Sequence, residues 1–421
     1  MKNILIINEN ADHKKMSKNH YSLTKGENVA YYLALQEGLT VYFLTTGNSE
    51  IINNIHYKNS ITKDFLKNID YVLFIRETNI HNILERYKDL KEVLDTKSIK
   101  IGIKGDSVSW IKNKELRDWV FKNYNKDLYD WGYNFFDIIY VQQKKSLAPA
   151  QKLLKKDPLK KLKTSKMGVP DKIIDFSCIE NNFLTTKYVN AFSENTKNVA
   201  LLPFKLQSAF KNLSILNEPC KPCKQTKPCK LIYIGRIKTD NGRIATMMSE
   251  IMKELGNSYE LHIFPGKFIL PDVDVKDYSP KNTIHLQFLR DKIFCNNENV
   301  FIHYPFEHDE RLSYLVHADI GIDFSPTRPS NNPSPYGNSK LLDYCYAGLP
   351  VVTEANVGNI ELVQDAKNGI VLHDNASVSE YATAIRIVSK LEINKEFVHK
   401  ITVAKNNWYD ICKTIKHDFE C

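Results

Sequence analysis

Short apolar runs that alternate with helix-like segments constrain the fold of this chain more than any other feature of its sequence. Each run spans four to six residues, is rich in β-branched side chains and lacks a strict alternation of polar and apolar positions. This pattern indicates parallel strands that are buried on both faces, and strands separated by helices indicate doubly wound α/β sheets. The predicted strands are residues 4–7, 40–45, 71–75, 99–103, 137–141 and 173–176 in the first half and 231–235, 260–264, 299–303, 319–324, 350–353 and 369–372 in the second.

The two series of strands predict two Rossmann-like domains, which also suits a length of 421 residues. We expect a first domain over 1–203, a linker over the Pro-rich stretch 204–230, a second domain over 231–394 and a helical segment over 395–421 with Trp408 as its packing anchor. Ligands of doubly wound sheets bind beyond the carboxyl ends of the strands. The two domains are therefore expected to face each other across a cleft that holds the active site.

The apolar patterns also bear on the compartment of the protein. We find no apolar run long enough to span a bilayer, and the chain starts directly in a strand-like segment. A soluble, cytoplasmic protein is therefore expected. Cys178, Cys345 and Cys412 lie within apolar patterns and are predicted to be ordinary core thiols.

A second group of cysteines has the spacing of metal ligands. Cys220, Cys223 and Cys229 form a C-x-x-C-x5-C cluster between prolines and lysines. A zinc site needs a fourth ligand, and none lies nearby in the sequence. The Pro/Lys-rich setting favours an exposed linker, and no metal is predicted.

The net charge of +9 is concentrated in one segment, residues 144–166. Nine lysines stand there against a single acid, Asp157, with leucines between them. One interpretation is a solvated helix and loop whose leucines face the core. The other is a basic surface for an anionic partner: membrane headgroups, a lipid-diphosphate acceptor or nucleic acid. The lysines proposed for this surface are Lys144, Lys145, Lys155, Lys156, Lys160 and Lys161.

Residues 336–352 are predicted to form a loop, a short helix, a tight Gly-Leu-Pro turn and a buried strand. Lys340 and Asp343 are three residues apart and so share one face of the helix near its N-terminus, which suits a phosphate. Lys340 can neutralise a diphosphate there, Asp343 can accept hydrogen bonds from a ribose, and Asn338 and Ser339 lead into the helix. The alternative is an exposed Lys340–Asp343 salt bridge, worth only about 0.3–0.5 kcal/mol.

A second candidate for phosphate binding ends the first strand of the second predicted domain. Gly235 lets the backbone approach a ligand, and Arg236 can form a fork with phosphate oxygens. Arg243 follows one or two turns into a predicted helix. A plain surface arginine would explain the Gly-Arg pair equally well, so its weight comes from lying in the same predicted domain as Lys340.

From about residue 231 to 372 the chain resembles the nucleotide-binding half of GT-B glycosyltransferases, in particular those similar to glycosyltransferase family 4. The first half resembles them more loosely, through a helix that leads into the second strand. The pieces that carry the resemblance are residues 233–236 (YIGR), 318–322 (ADIGI), 338–352 (NSKLLDYCYAGLPVV), 357–363 (VGNIELV), 368–371 (NGIV) and, in the first half, 25–41 (KGENVAYYLALQEGLTV).

The resemblance implies a GT-B fold, whose C-terminal helix packs back on the first domain, and a nucleotide-diphosphate sugar such as a UDP- or GDP-sugar as donor. Arg236 and Lys340 would hold the diphosphate, and Asp343 stands where the family has a ribose-binding glutamate. Two positions depart from the family: Pro335 replaces an earlier glutamate that contacts the sugar, and Asn241 replaces a lysine. These departures leave the stereochemistry of transfer, retaining or inverting, open.

Charge compensation by Arg236, Lys340 and the helix N-terminus implies transfer without a metal or another cofactor. An inverting enzyme would add a carboxylate base in the first domain, for which Asp106 and Glu77, each just after a predicted strand, are candidates. The alternative is that each residue caps a helix or turn.

The expected acceptor is a glycan, a polysaccharide or a lipid-linked glycan, with peripheral contact at the inner face of a membrane. Two alternatives remain open at this point. The first keeps the fold but takes modified DNA bases as acceptor, as in phage or viral enzymes. The second is a GT-B-shaped partner protein that has lost catalysis.

Overall fold

The chain folds into two compact units in a computed structural model. The first unit is formed by residues 1–171 together with 406–421, and the second by residues 172–405. The structure describes residues 1–8, 25–75, 80–104, 113–141, 162–164, 166, 168–174, 176, 228–235, 243–264, 293–295, 297–303, 311–324, 339–355, 357–373 and 376–421. The domain boundary predicted at residue 203 lies outside these ranges and stays a prediction.

The first unit is built on a sheet of eight strands in the order β3-β4-β2-β1-β5-β6-β7-β8. Neighbouring strands are parallel, except for the antiparallel pair β3–β4. The strands are Lys2–Asn8 (β1), Leu39–Leu44 (β2), Glu50–Ile52 (β3), Ile55–Lys58 (β4), Tyr71–Ile75 (β5), Lys100–Lys104 (β6), Ile138–Val141 (β7) and Leu162–Thr164 (β8). The helices are Lys25–Ala34 (α1), Lys63–Leu66 (α2), Ile80–Arg86 (α3), Lys88–Asp95 (α4), Lys114–Tyr124 (α5) and Leu128–Phe135 (α6).

The apolar runs of this unit form strands because both of their faces are covered. Every residue of β5 is buried, and the side chains of β1 divide between two hydrophobic clusters, with Leu5 and Ile7 in one and Ile4 and Ile6 in the other. Side chains on opposite faces of a strand can enter two cores only when helices cover both sides of the sheet. The doubly wound arrangement predicted for the first half is therefore confirmed.

The second unit has a fully parallel sheet of six strands in the order β11-β10-β9-β12-β13-β14. The strands are Cys229–Ile234 (β9), Tyr259–Phe264 (β10), Val300–Ile302 (β11), Ile320–Asp323 (β12), Val351–Glu354 (β13) and Gly369–Leu372 (β14). The helices are Arg243–Leu255 (α7), Arg311–Leu315 (α8), Ser339–Tyr346 (α9), Val357–Ala366 (α10), Val378–Val388 (α11) and Lys395–Asn406 (α12). Counted within the unit this order is 3-2-1-4-5-6, that of a Rossmann sheet, and its direction reverses between β9 and β12.

The last helix, Trp408–Glu420 (α13), belongs to the first unit. Trp408, Cys412, Ile415 and Phe419 are buried in the same cluster as the side chains of α1 and β1. The prediction that a C-terminal helix packs back on the first domain is confirmed, and so is Trp408 as its anchor. The segment predicted as one helical stretch is two helices, α12 and α13, because Asn407 ends the first and caps the second through its side chain.

Two predictions of local structure, the strand at residues 173–176 and the exposed setting of Cys229, are wrong. Ile173, Ile174 and Phe176, the described residues of the range 173–176, are not in a strand, because the Ile174 amide donates to the Nε2 atom of His399 and not to a neighbouring strand. Of the lysine-rich segment, the structure describes residues 162–164 and 166; residues 162–164 form strand β8, where Lys163 lies 3.4 Å from a carboxylate oxygen of Asp418. Cys229, assigned to an exposed linker, is buried at the start of β9.

Two of the three cysteines predicted to be core thiols, Cys345 and Cys412, are fully buried, and burial raises the pKa of each thiol. Cys178, Cys220 and Cys223 lie outside the described residues. Within the described part of the chain, none of the helices combines the length and the apolar composition needed to cross a membrane.

Candidate functional site

The strands β9 and β12 are neighbours at the point where the strand order of the second unit reverses. Their parallel pairing joins Ile320 to Leu231 and Gly321 to Ile232. One residue pair further on, the hydroxyl of Tyr344 on α9 bridges the two strands. It accepts a hydrogen bond from the Ile234 amide at 3.0 Å and donates to the Ile322 carbonyl at 3.1 Å. In open α/β sheets ligands bind at such a reversal, beyond the strand ends.

Gly321 makes room for this bridge. A Cβ atom at position 321 would lie 2.6 Å from the ring of Tyr344, closer than side chains pack. The glycine of the buried run 318–322 is therefore required by the tyrosine that α9 inserts between the strands. The helix is thus fixed against the sheet directly below the residues predicted to bind the donor.

Lys340 points from α9 to the ends of β9 and β12. Its Nζ atom lies 3.2 Å from Oδ1 of Asp323 and 3.1 Å from the hydroxyl of Tyr233, and 4.3 Å from the centre of the Tyr233 ring. The lysine side chain is 14% exposed and that of Asp323 is fully buried. Burial by itself lowers the pKa of Lys340, but Tyr233 and Asp323 outweigh it and raise the pKa above its usual value. The ammonium therefore stays charged inside the site.

Gly235 follows β9 and brings backbone close to this ammonium. Its φ of +108° lies in a region that favours glycine, and its amide donates to the Phe264 carbonyl at 2.9 Å. A Cβ atom placed on it would lie 3.5 Å from Cε of Lys340. The two donor-binding residues predicted from separate motifs, Gly235 and Lys340, therefore lie together.

Asp323 is the central residue of the site that the sequence did not reveal. Its Oδ2 atom lies 3.4 Å from the Thr353 hydroxyl and 3.4 Å from the amide nitrogen of Asn359. Asn359 also donates to Thr353 at 2.7 Å and to the Glu354 carbonyl at 3.2 Å. The hydrogen bonds from β13 and α10 therefore hold the carboxylate that orients Lys340. The sequence does carry one indication of this site: Asp323 and Thr353 are polar residues that each follow a buried apolar stretch, at the ends of two strands.

Asp343 is paired with a residue that was also missed. Nη1 of Arg311, the first residue of α8, lies 3.0 Å from Oδ2 of Asp343, and the two side chains are 29% and 18% exposed. Burial raises the pKa of Asp343, and Arg311 opposes that rise. Lys340 and Asp343 thus share the predicted helix face, yet each makes its ion pair with a different element.

Of the remaining predicted site residues, the structure describes only Ser339 and the backbone of Arg243. Ser339 is the exposed first residue of α9. Arg243 is the first residue of α7, whereas the sequence suggested a position further inside that helix. The Arg243 side chain lies outside the described part of the structure. The residues wholly outside the described ranges are Arg236, Asn338, Glu77, Asp106, Lys144, Lys145, Lys155, Lys156, Lys160 and Lys161. Their roles stay predictions. Within the described ranges, no group of three or more His, Cys, Asp or Glu side chains is placed to hold a metal ion.

Comparison with known proteins gave structural matches alone: no family model and no curated protein sequence matches the chain. Sucrose-phosphate synthase from Thermosynechococcus elongatus matches with a TM-score of 0.59 and 11% identity, over 100% of this chain and 98% of the other. HepE from Anabaena, in complex with UDP-glucose, matches with a TM-score of 0.58 and 10% identity over 100% of both chains. The lipopolysaccharide outer core galactosyltransferase WaaB matches with a TM-score of 0.54 and 12% identity over 99% of both.

Structural matches at 10–12% sequence identity show a common fold. The matches extend over practically the whole chain and include both Rossmann-like units. The resemblance drawn from the motifs of the second half is thereby confirmed for the architecture as a whole: the chain has the GT-B fold.

Proposed function

We propose that this protein is a glycosyltransferase that takes a sugar from a nucleotide-diphosphate donor and transfers it to a glycan, polysaccharide or lipid-linked acceptor. The observation that carries the proposal is the position of the charged Lys340 ammonium. It lies at the ends of β9 and β12, where the order of a Rossmann sheet reverses, beside the backbone of Gly235. A cation, an approachable glycine and a helix start at that place suit a diphosphate.

The donor is held by the second unit in this proposal. Lys340 and Arg236 bind the diphosphate, the start of α9 with Asn338 and Ser339 supplies amide and hydroxyl donors, and Arg243 adds charge from the start of α7. Asp343 accepts hydrogen bonds from the ribose. Asp323 and Tyr233 support this arrangement because they fix the ammonium of Lys340 before any ligand arrives, so little ordering remains to be done on binding.

The reaction forms a bond between an acceptor hydroxyl oxygen and the anomeric carbon of the sugar and breaks the bond from that carbon to the diphosphate. The nucleoside diphosphate leaves with the electron pair, and Lys340 and Arg236 compensate its charge, so we propose that no metal is needed. A carboxylate base accepts the proton of the hydroxyl in an inverting enzyme. Glu77 and Asp106 are proposed for this role, since each stands two residues after paired strand ends, Ile75 on β5 and Lys104 on β6.

UDP-sugars are the first donors to test, because HepE, which shares the fold, was solved with UDP-glucose. A thermal-shift screen should compare UDP-glucose, other UDP- and GDP-sugars and the free nucleotides. A ligand at a hundred times its Kd stabilises the folded state by about 2.7 kcal/mol, so the true donor should raise the melting temperature clearly. Release of the nucleoside diphosphate with an acceptor extract then tests transfer.

The matched variants for this screen are a double and a single replacement. Lys340→Met with Asp323→Asn removes the cation without leaving its buried partner charged, whereas Lys253→Met removes an exposed lysine of the same unit. The site is supported if the double variant loses the thermal shift and Lys253→Met keeps it. Equal binding by wild type and double variant would overturn the site, and no shift with any nucleotide would overturn the function and favour a GT-B-shaped partner protein.

The acceptor is proposed to be presented at an anionic surface, with the protein peripherally bound at the inner face of a membrane. The basis is the charge of segment 144–166, nine lysines against one acid. Sedimentation with vesicles containing anionic lipid, compared with neutral vesicles and with duplex DNA, tests the acceptor class. Salt-dependent duplex binding without vesicle binding would favour the DNA-modifying alternative.

A further inference from the structure

The ion pair between Arg311 and Asp343 forms the outer part of the donor site. We propose that Arg311 is a positioning residue: its guanidinium holds the Asp343 carboxylate ionised and fixed in orientation for the hydroxyls of the donor ribose. This inference rests on the proposed function, because it assigns a role in the same nucleotide site.

The geometry places a rigid cation on the carboxylate. Nη1 of Arg311 lies 3.0 Å from Oδ2 of Asp343, and both side chains are largely but not fully buried. Arg311 starts α8, a helix anchored by the buried residues Tyr314 and Leu315. The ring of Tyr314 packs 4.9 Å from that of Phe264, whose carbonyl accepts the amide hydrogen of Gly235. The helix that carries Arg311 is thus fixed to the end of β10, the strand next to β9 in the sheet.

The other ion pair of the site, between Lys340 and Asp323, does not hold the Asp343 carboxylate. Lys340 stands one turn before Asp343 on α9, but its ammonium is engaged by Asp323 and Tyr233. Among the described residues, the titratable groups that interact with the Asp343 carboxylate include Arg311 on α8 and Tyr344 on α9. Of these, Arg311 is the cation whose charge acts on the Asp343 carboxylate. Through this contact Arg311 opposes the rise in the Asp343 pKa that burial causes, and so favours the ionised carboxylate.

The charge state matters for a ribose. Two neighbouring hydroxyls each donate a hydrogen bond, and an ionised carboxylate has acceptor sites on both oxygens, whereas a protonated carboxyl has turned one oxygen into a donor. Hydrogen bonds to a charged acceptor are also the stronger ones. Without Arg311, burial raises the pKa of Asp343 further, and the ribose loses its acceptor as the pH falls.

The test measures nucleotide affinity against pH in wild type, Arg311→Gln and Arg311→Lys. The probe is UDP, or GDP if the donor screen selects it, together with its 2′,3′-dideoxy form. We expect Arg311→Gln to bind the ribonucleotide about tenfold more weakly near pH 6 and to recover as the pH rises. Affinity for the dideoxy form should be equal in wild type and Arg311→Gln. Arg311→Lys should retain most of the wild-type affinity for the ribonucleotide, because it keeps the positive charge.

Asp343→Asn separates positioning from a purely structural role. In an Asp343→Asn background the further change Arg311→Gln should no longer alter affinity or its pH dependence. The inference is overturned if Arg311→Gln binds like wild type at every pH, or if it weakens the dideoxy nucleotide as much as the ribonucleotide. Failure of wild type itself to bind any nucleotide overturns the proposed function, and the inference with it, so the two failures are distinguishable.

Discussion

The Lys340 ammonium lies 3.2 Å from Oδ1 of Asp323, a carboxylate with no exposed surface. The residue proposed to bind the donor diphosphate is therefore also the partner of a buried negative charge. Ligand binding and stability of the second unit are coupled through this one contact. A variant that replaces Lys340 alone changes both the affinity for the donor and the stability of the unit. The two effects have to be separated by experiment.

We expect Lys340→Met to destabilise the second unit by about 3 kcal/mol, because removal of one member of a buried ion pair leaves the other uncompensated. The double variant with Asp323→Asn should regain most of that loss, since the neutral amide no longer needs a cation. Urea denaturation of the single and double variants measures the difference. Equal stability of the two variants would show that Thr353 and Asn359 satisfy Asp323 without the lysine.

The Tyr344 hydroxyl makes a second prediction. Tyr344→Phe removes the acceptor of the Ile234 amide and the donor to the Ile322 carbonyl, and a buried polar group left without its partner costs about 1–3 kcal/mol. Gly321→Ala should act in the same direction, because the added methyl group displaces the ring from both bonds. Thermal denaturation compares these variants with Tyr409→Phe, an exposed tyrosine on α13.

The two variants should not be additive. Once Gly321→Ala has displaced the ring, the hydroxyl has little left to contribute, so Tyr344→Phe added to it should cost much less than it does alone. Full additivity would mean that the alanine is accommodated elsewhere and that the bridge survives it.

The local elements of the site followed from the sequence, because their signals are local. The run around residues 339–352 combines helix periodicity, a glycine turn and an apolar strand, and each of them lies where it was predicted. The side-chain contacts of Lys340 could not be predicted in this way. Tyr233 and Lys340 are 107 positions apart, and the order of strands in the sheet, with β9 beside β12, brings them together.

The apolar run near residue 173 shows a different limit. An apolar pattern reports that side chains are buried, but it does not report where the backbone amides bond. Ile174 is buried as its pattern indicates, although Ile173 beside it is exposed, and the Ile174 amide donates to the imidazole of His399 in place of a sheet neighbour. Cys229 is the converse case: the Pro/Lys composition around it predicted exposure, while it already belongs to the buried strand β9.

Gly348 provides a third prediction with a matched control. Its φ is +71°, and a Cβ atom would lie 2.6 Å from the Lys395 carbonyl oxygen. Gly256 has nearly the same φ, +69°, with open space around the Cβ position. We expect Gly256→Ala to cost about 1 kcal/mol for the left-handed backbone alone. Gly348→Ala should cost about 1–3 kcal/mol more for the steric conflict, as measured by chemical denaturation. Equal costs for both variants would contradict the close approach of α12 to the turn.

His399 gives the fourth prediction, on pH. Its Nε2 atom accepts a hydrogen bond from the Ile174 amide at 2.8 Å, and its Nδ1–H donates to the Tyr346 carbonyl at 2.5 Å, so the folded protein holds the neutral ring. Burial lowers the pKa from 6.5 to about 4; the bond to Tyr346 and the nearby Glu396 oppose this, and Lys400 adds to it. Between these values the unfolded chain binds a proton that the folded chain excludes.

Stability therefore rises with pH across this window: the contribution of His399 is complete above about pH 6.5 and is lost as the pH falls towards 4. From the width of the window the loss is about 3 kcal/mol. His399→Gln keeps a donor and an acceptor but does not titrate, so denaturation followed from pH 7 to pH 4 should lose part of its pH dependence. The rest should persist, because burial also lowers the pKa of His317 to about 4. His417→Gln, at an exposed position on α13, serves as control, and a slope in His399→Gln identical to that of wild type would refute the assignment.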